Sequence, residues 1–201
     1  MYKKYFKRLF DIIFSLILIL ILFPIMVLIF FLVWTFIGFP IFIQKRPGLK
    51  NEIFTLYKFK TLYDESRYIS ETKRQNILGN FLRKTGLDEL PQLFNILENN
   101  MSFIGPRPLL VEYLKKYTNY EQKRHLVKPG ITGLAQINPE PSGIKSWNKS
   151  IKLDIFYVKN ISFFLDIEIL FKTGFLILFK KKQYKDFKKF YERKIGNYWC
   201  W

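Results

Sequence analysis

The chain has 201 residues, about half of them apolar and 19% aromatic, with 33 Lys and Arg against 16 Asp and Glu and a formal charge of +17. So much apolar and aromatic side chain excludes a mainly disordered protein, and the length suits one domain. A lone cysteine, Cys200, and a lone histidine, His125, exclude an internal disulfide and leave little material for a zinc site or a histidine triad.

No charged residue occurs from Ile12 to Ile43, and the stretch Ile12–Phe36 is dense in Ile, Leu and Phe. This is longer than the apolar part of a signal peptide, no small-residue cleavage site follows, and it is long enough to span a bilayer. Pro24 lies near its middle, where a missing backbone donor predicts a kink. Both flanks are basic: Lys3, Lys4, Lys7 and Arg8 before, Lys45, Arg46 and Lys50 after. Positive charge stays on the cytoplasmic side, which favours a helix that enters, bends at Pro24 and returns. A tilted span remains open on these residues alone. With a membrane segment present, the excess charge points to anionic lipid and phosphate partners rather than nucleic acid, for which no binding module is visible.

Beyond the apolar stretch, Pro47-Gly48 marks a turn and Ile53–Phe59 reads as a strand or hairpin arm. Residues 64–84 are polar and charged and are predicted helical. Acids followed by Pro91 mark a helix start, after which Leu90, Leu93, Phe94 and Leu97 give a buried face. Gly105-Pro106-Arg107-Pro108 is a stiff turn, 109–126 an amphipathic helix, and Pro129–Gly133 a tight turn. Ile161–Phe179 is apolar but interrupted by Asp166, Glu168 and Lys172, and is expected in the core or along a membrane surface. Residues 180–194 form a basic tail with eight Lys or Arg. The organisation is therefore a membrane helix over 1–43, a small domain over 44–180 and a basic tail over 181–201. The class is α+β, mainly helical, with interfacial amphipathic helices.

Asp88 and Glu89 stand where a helix N-terminus stabilises anions and also attracts phosphate. An ionised aspartate there can hold Mg2+ or attack phosphorus. Taken alone, the pair reads as ordinary helix-start acids. Lys58, Lys60, Arg83 and Arg107 are candidates to neutralise a diphosphate, and Arg107 is fixed between two prolines. The plain alternative for each is a solvated or lipid-facing cation. His125 is expected to be structural, and no glycine-rich phosphate loop is present.

In order along the chain stand Lys7-Arg8-Leu9-Phe10-Asp11, Arg46-Pro47-Gly48, Tyr57–Thr61, Leu82-Arg83, Leu87–Leu93, Met101–Pro108, Pro129–Gly133, Ala135-Gln136, Leu153-Asp154 and Tyr157–Asn160. Together they resemble the monotopic phosphoglycosyl transferases, the bacterial sugar transferases that start lipid-linked glycan assembly. The resemblance runs from about Lys7 to Thr173. It implies that Asp88 attacks the β-phosphate of a UDP-sugar, that UMP leaves, and that a polyprenyl phosphate, expected to be undecaprenyl phosphate, then takes the phosphosugar from the enzyme. It implies assistance from Glu89, Mg2+ held by Asp88, and substrate contacts that include Gln136. It also implies the re-entrant hairpin and a site on the cytoplasmic face of the inner membrane, with downstream glycosyltransferases as possible partners. The donor is expected to be an N-acetylated hexose or modified deoxysugar. One departure is clear: where the family carries Gly-Arg-Asn after Ala-Gln, this chain reads Asn138-Pro139-Glu140-Pro141-Ser142-Gly143, with Lys145 and Lys149 as the nearby cations. That loop is a candidate specificity element. The competing function class is a non-catalytic membrane-anchored scaffold.

Overall fold

The structure is a computed structural model and describes residues 2–64, 70, 72–138 and 144–178, with the side chains of 4 and 144–146 excepted. The Pro139–Gly143 loop and the basic tail with Cys200 lie outside the described residues. A π-helical turn, Tyr2–Phe6, leads into helix α1, Lys7–Phe36. At 1.5 Å per residue its 30 residues extend about 45 Å. It is the one helix among the described residues long and apolar enough to cross a membrane. Most of its side chains face outward, Leu20 being 79% exposed, and only Asp11, Ser15, Met26, Ile29 and Val33 are buried. Pro24 lies inside it. The Ser15 hydroxyl is satisfied within the helix, donating to the carbonyl oxygens of Asp11 and Ile12 at 2.7 and 3.0 Å. Gly38, at φ +124°, takes a conformation that side chains avoid and turns the chain out of the helix.

Strands β1 (Ile41–Pro47) and β2 (Ile53–Phe59) form the expected hairpin, antiparallel from Ile41↔Phe59 to Pro47↔Ile53. Helix α2 covers Ile77–Thr85, so among the described residues of 64–84 the helical reading holds from Ile77 onward. The cause is local. Tyr63 donates its backbone N–H to Arg74 O at 3.0 Å, Leu62 and Gln75 form a β-bridge, and the Asn76 side chain caps the helix by accepting from Gly79 N at 2.7 Å. Gly79 must be glycine, because a Cβ would lie 1.9 Å from Thr61 O. A 3-10 turn, Leu87–Glu89, then precedes the short helix α3, Gln92–Leu97. Its buried side is Leu93, Asn95 and Ile96, whereas Phe94 is 41% exposed, against the expected face.

Two further expectations are corrected. Gly130–Thr132 is not a simple turn but strand β4, parallel to β3 (Ser102–Ile104), paired Ser102↔Gly130 and Ile104↔Thr132. The two backbones approach so closely that a Cβ on Gly130 would lie 2.1 Å from Gly105 N. Residues 109–126 are not one amphipathic helix but two 3-10 turns, Val111–Lys116 and Glu121–Leu126. Tyr117 is extended between them, and Thr118 N donates to the Glu121 carboxylate at 2.8 Å, which restarts the chain there. Helices α4 (Ile144–Lys159) and α5 (Phe163–Leu178) close the fold. α5 is both core-packed and exposed: Ile169 is fully buried, while Phe164 and Phe171 are 83% and 78% exposed. The main core joins β2, α3, β3, α4 and α5 through residues such as Leu56, Ile96, Phe103, Tyr157 and Ile169. A second cluster packs Met26, Ile29, Val33 and Ile37 onto Phe59 and Leu82. The class is α+β and mainly helical, as expected.

Candidate active site

Asp88 and Glu89 sit in the 3-10 turn between α2 and α3 rather than in the first turn of α3. Gly86, at φ +73°, ends α2 in the left-handed conformation and so aims the turn. Asn95 then fixes that turn against the hairpin. Its amide nitrogen donates to Thr55 O at 2.7 Å and its oxygen accepts from Tyr57 N at 3.1 Å, so a side chain completes the free edge of β2. Lys58, one residue on, thereby faces the acid pair.

Glu89 is clamped. Lys58 Nζ donates to its Oε1 at 2.7 Å and Arg107 Nη2 donates to the same oxygen at 3.0 Å. Burial pushes the Glu89 carboxyl up, but Arg107 and Lys58 more than offset this and hold it below the ordinary glutamate value. Asp88 is the opposite case. It is buried, and among the described residues it makes no ion pair and accepts no side-chain hydrogen bond. Burial raises its pKa above the ordinary value, against the pull of Lys58 and with a further push from Glu89. One carboxylate is thus fixed and neutralised, and its neighbour is left without an ion pair among the described residues.

The predicted site residues divide. Lys58 and Arg107 meet the acid pair directly. Lys60 instead pairs with Asp64 at 2.5 Å, and Arg83 donates from Nε to Thr61 Oγ1 at 2.8 Å; among the described contacts neither is bonded to the acid pair. Gln136 sits beside the Gly105 turn: its Nε2 donates to Ile131 O at 2.7 Å, and its Oε1 is buried without a hydrogen-bond partner among the described residues. No hydrogen bond joins it to Asp88 or Glu89 among the described residues. His125 is buried, with Nδ1 3.3 Å from Gly48 O, and burial together with Arg124 lowers its pKa to about 4. Asn95 and the buried Arg124–Asp154 pair were not singled out as site residues by sequence. Only Asp154 left a trace, in the Leu153-Asp154 piece of the family resemblance.

A resident Mg2+ would find one suitable carboxylate here. No group of three or more His, Cys, Asp or Glu able to hold a metal occurs among the described residues. The donor set fits an ion that takes one protein carboxylate and completes its shell with water and substrate phosphate, as Mg2+ does.

The family model for bacterial sugar transferases matches residues 2–180 of the chain. The chain is 49% identical over 142 residues to the uncharacterized sugar transferase EpsL of Bacillus subtilis, covering 68% of this chain and 69% of that protein. It is 40% identical to the UDP-glucose:undecaprenyl-phosphate glucose-1-phosphate transferase of Klebsiella pneumoniae, over 72% of this chain and 34% of that one. It is 33% identical to the undecaprenyl-phosphate galactose phosphotransferase of Salmonella typhimurium, over 70% of this chain and 34% of that one. The chain therefore spans about a third of the length of these two transferases. With nearly its whole described length matched, the chain belongs to the bacterial sugar transferase family, as its motifs implied.

Proposed function

We propose that this protein transfers a sugar 1-phosphate from a UDP-sugar to undecaprenyl phosphate and releases UMP, through a covalent intermediate on Asp88. The observation that carries the reading is the buried Asp88 carboxylate, without an ion pair among the described residues, beside a Glu89 already neutralised by Lys58 and Arg107. In the first step an Asp88 carboxylate oxygen bonds to the β-phosphorus and the bond to the bridging oxygen breaks, so that UMP leaves with that oxygen. In the second, an oxygen of the lipid phosphate bonds to the same phosphorus and the Asp88 carboxylate is expelled. The product is the lipid diphosphosugar. Splitting the transfer lets one small site serve a soluble donor and a lipid acceptor in turn. Lys58 and Arg107 are the cations placed to meet phosphoryl oxygens, and Glu89 holds both in place. Mg2+, when held by Asp88 and the diphosphate, would supply charge neutralisation at the transferring phosphoryl group.

The membrane geometry belongs to the same proposal. The first turns of α1 dock through Lys7, Arg8 and Asp11, and its last turns dock through Val33 and Ile37, on one folded body. A straight crossing would separate those ends by roughly the 30 Å hydrocarbon thickness. A re-entrant α1 bent at Pro24, with basic flanks and the site on the cytoplasmic face, accounts for both dockings.

The test is UMP release from a panel of UDP-hexoses and their N-acetylated forms, with Mg2+ and undecaprenyl phosphate in a native-like bilayer. With one donor and no acceptor, intact-protein mass should rise by one phosphosugar. Turnover without that mass increment under any quench would remove the covalent step. Folded protein that releases no UMP from any donor would favour the scaffold reading.

The two lysines of β2 give a second expectation. Lys58→Ala should lower kcat/KM by about tenfold or more, the scale of a lost charge-assisted contact of about 1.5–3 kcal/mol. Lys60→Ala should have a clearly smaller effect, because Lys60 is held by Asp64 and not by the acid pair. Equal losses would place both lysines on the substrate.

A further inference from the structure

Arg124 lies in the 3-10 turn Glu121–Leu126, is 2% exposed and touches neither Asp88 nor Glu89 among the described contacts. It nevertheless uses its whole fork. Nε and Nη2 donate to Asp154 Oδ2 at 3.0 and 2.7 Å, Nη1 donates to Tyr117 OH at 3.0 Å, and Nη2 also donates to the backbone oxygen of Arg107 at 2.8 Å. Asp154 is 3% exposed and belongs to α4. Among the described contacts, the backbone at Arg107 is where this buried pair meets the site. Arg107 follows Pro106 and precedes Pro108, and its own side chain reaches Glu89 at 3.0 Å. A carbonyl gripped by a rigid guanidinium, between two prolines whose φ is fixed, leaves the Arg107 side chain a single base from which to reach across.

We propose that Arg124, braced by Asp154 and Tyr117, is a positioning residue that sets the Arg107 backbone so that the Arg107 guanidinium meets Glu89 and the substrate phosphate. Desolvating a charged pair is costly, and a pair of this kind is poor evidence for stability by itself. Its hydrogen bond into the active-site turn gives it a task. A lysine at 124 keeps the charge opposite Asp154 but cannot hold Asp154, Tyr117 and the Arg107 carbonyl together. The pair also ties α4 to the site, and α4 starts directly after the segment in which this chain departs from its family's pattern.

The proposal rests on the phosphotransferase reading for its kinetic test and on geometry alone for its second. In a double-mutant cycle, Arg124→Lys is made in the wild type and in an Arg107→Ala background, and kcat/KM for UMP release is measured in each. If Arg124 acts through Arg107, Arg124→Lys costs about tenfold in the wild type and less than about twofold once Arg107 is gone. Losses that multiply in full would assign Arg124 a structural role independent of Arg107 and overturn the proposal. Asp154→Asn, which keeps size and an acceptor oxygen, is carried through the same cycle and decides the matter if Arg124→Lys does not fold. The second readout needs no turnover: the Glu89 carboxyl is titrated by 13C NMR in the same variants. Arg124→Lys should move its midpoint up, in the direction that Arg107→Ala does, and adding it to Arg107→Ala should move it no further. An unchanged midpoint in Arg124→Lys would overturn the proposal even if the wild type released no UMP.

Discussion

Asp88→Asn is expected to abolish UMP release, by roughly a thousandfold or more as for lost covalent nucleophiles, while leaving the protein at least as stable as the wild type. The two halves of this expectation have one cause. The Asp88 carboxylate is buried without an ion-pair partner among the described residues, and burial raises its pKa above the ordinary 3.8. A raised carboxyl pKa means that the folded protein binds this proton more readily than the unfolded chain does. Its contribution to stability is then fully present below the unfolded value and is lost as pH rises through the folded one. At neutral pH the ionised Asp88 therefore opposes folding, and a neutral asparagine of the same shape does not. Thermal unfolding at pH 7 should show the variant equal or higher in Tm, with the gap closing below about pH 3.8. An active variant would remove Asp88 as the nucleophile. A Tm several degrees lower would instead assign the lost activity to damaged folding.

The same raised pKa shapes the pH profile. The attacking group must be ionised, so the acid limb of kcat/KM should fall at a higher pH than an ordinary aspartate gives. Arg107 draws the Asp88 pKa down, so Arg107→Ala should move that limb to still higher pH. Glu89 should contribute no limb in this region, since Lys58 and Arg107 hold it ionised below the usual glutamate range.

The pieces of this arrangement that local chemistry dictates were readable from the sequence. The apolar run became α1, the Pro47-Gly48 signal became the hairpin, and Asp88-Glu89 lay next to Pro91 as the turn required. The rest depends on contacts distant in the chain. Which of 33 cations reach Glu89 is decided by the register of β1 on β2 and by Asn95 bonding β2, neither of which leaves a periodic trace. Lys58 and Lys60 look alike in sequence and differ in the acid each reaches, Glu89 for Lys58 and Asp64 for Lys60. The parallel pairing of β3 with β4 involves three-residue strands, too short for alternation to be visible. The spacing of apolar residues over 109–126 suits an α-helix and also two 3-10 turns, and the Thr118–Glu121 contact chooses between them.

Asp11→Ala should be the most destabilising single change in the membrane helix, at about 2–4 kcal/mol, with catalytic loss beyond the folded fraction. Asp11 is 3% exposed although it lies in an apolar helix, and its Oδ1 accepts from Ser102 Oγ and from Phe103 N, both at 3.1 Å. Alanine leaves the Phe103 N–H and the Ser102 hydroxyl buried without that acceptor. Asp11→Asn retains an oxygen and should cost less, and Ser102→Ala less again, because the Phe103 bond survives. Arg8 docks the same turn of α1 by donating to Ile96 O and Leu97 O at 2.6 and 3.0 Å, at the C-terminal end of α3. Phe103 and Ile104 lead directly to Gly105-Pro106-Arg107, so the strand that Asp11 pins is the strand that delivers Arg107 to Glu89. Denaturation in bilayer nanodiscs, with kcat/KM per folded molecule, separates the two effects. Wild-type stability and activity in Asp11→Ala would mean that α1 serves as an anchor alone. The expected double loss would make the membrane helix a structural wall of the active site, so that a chain cut free of it would fold without Arg107 in place.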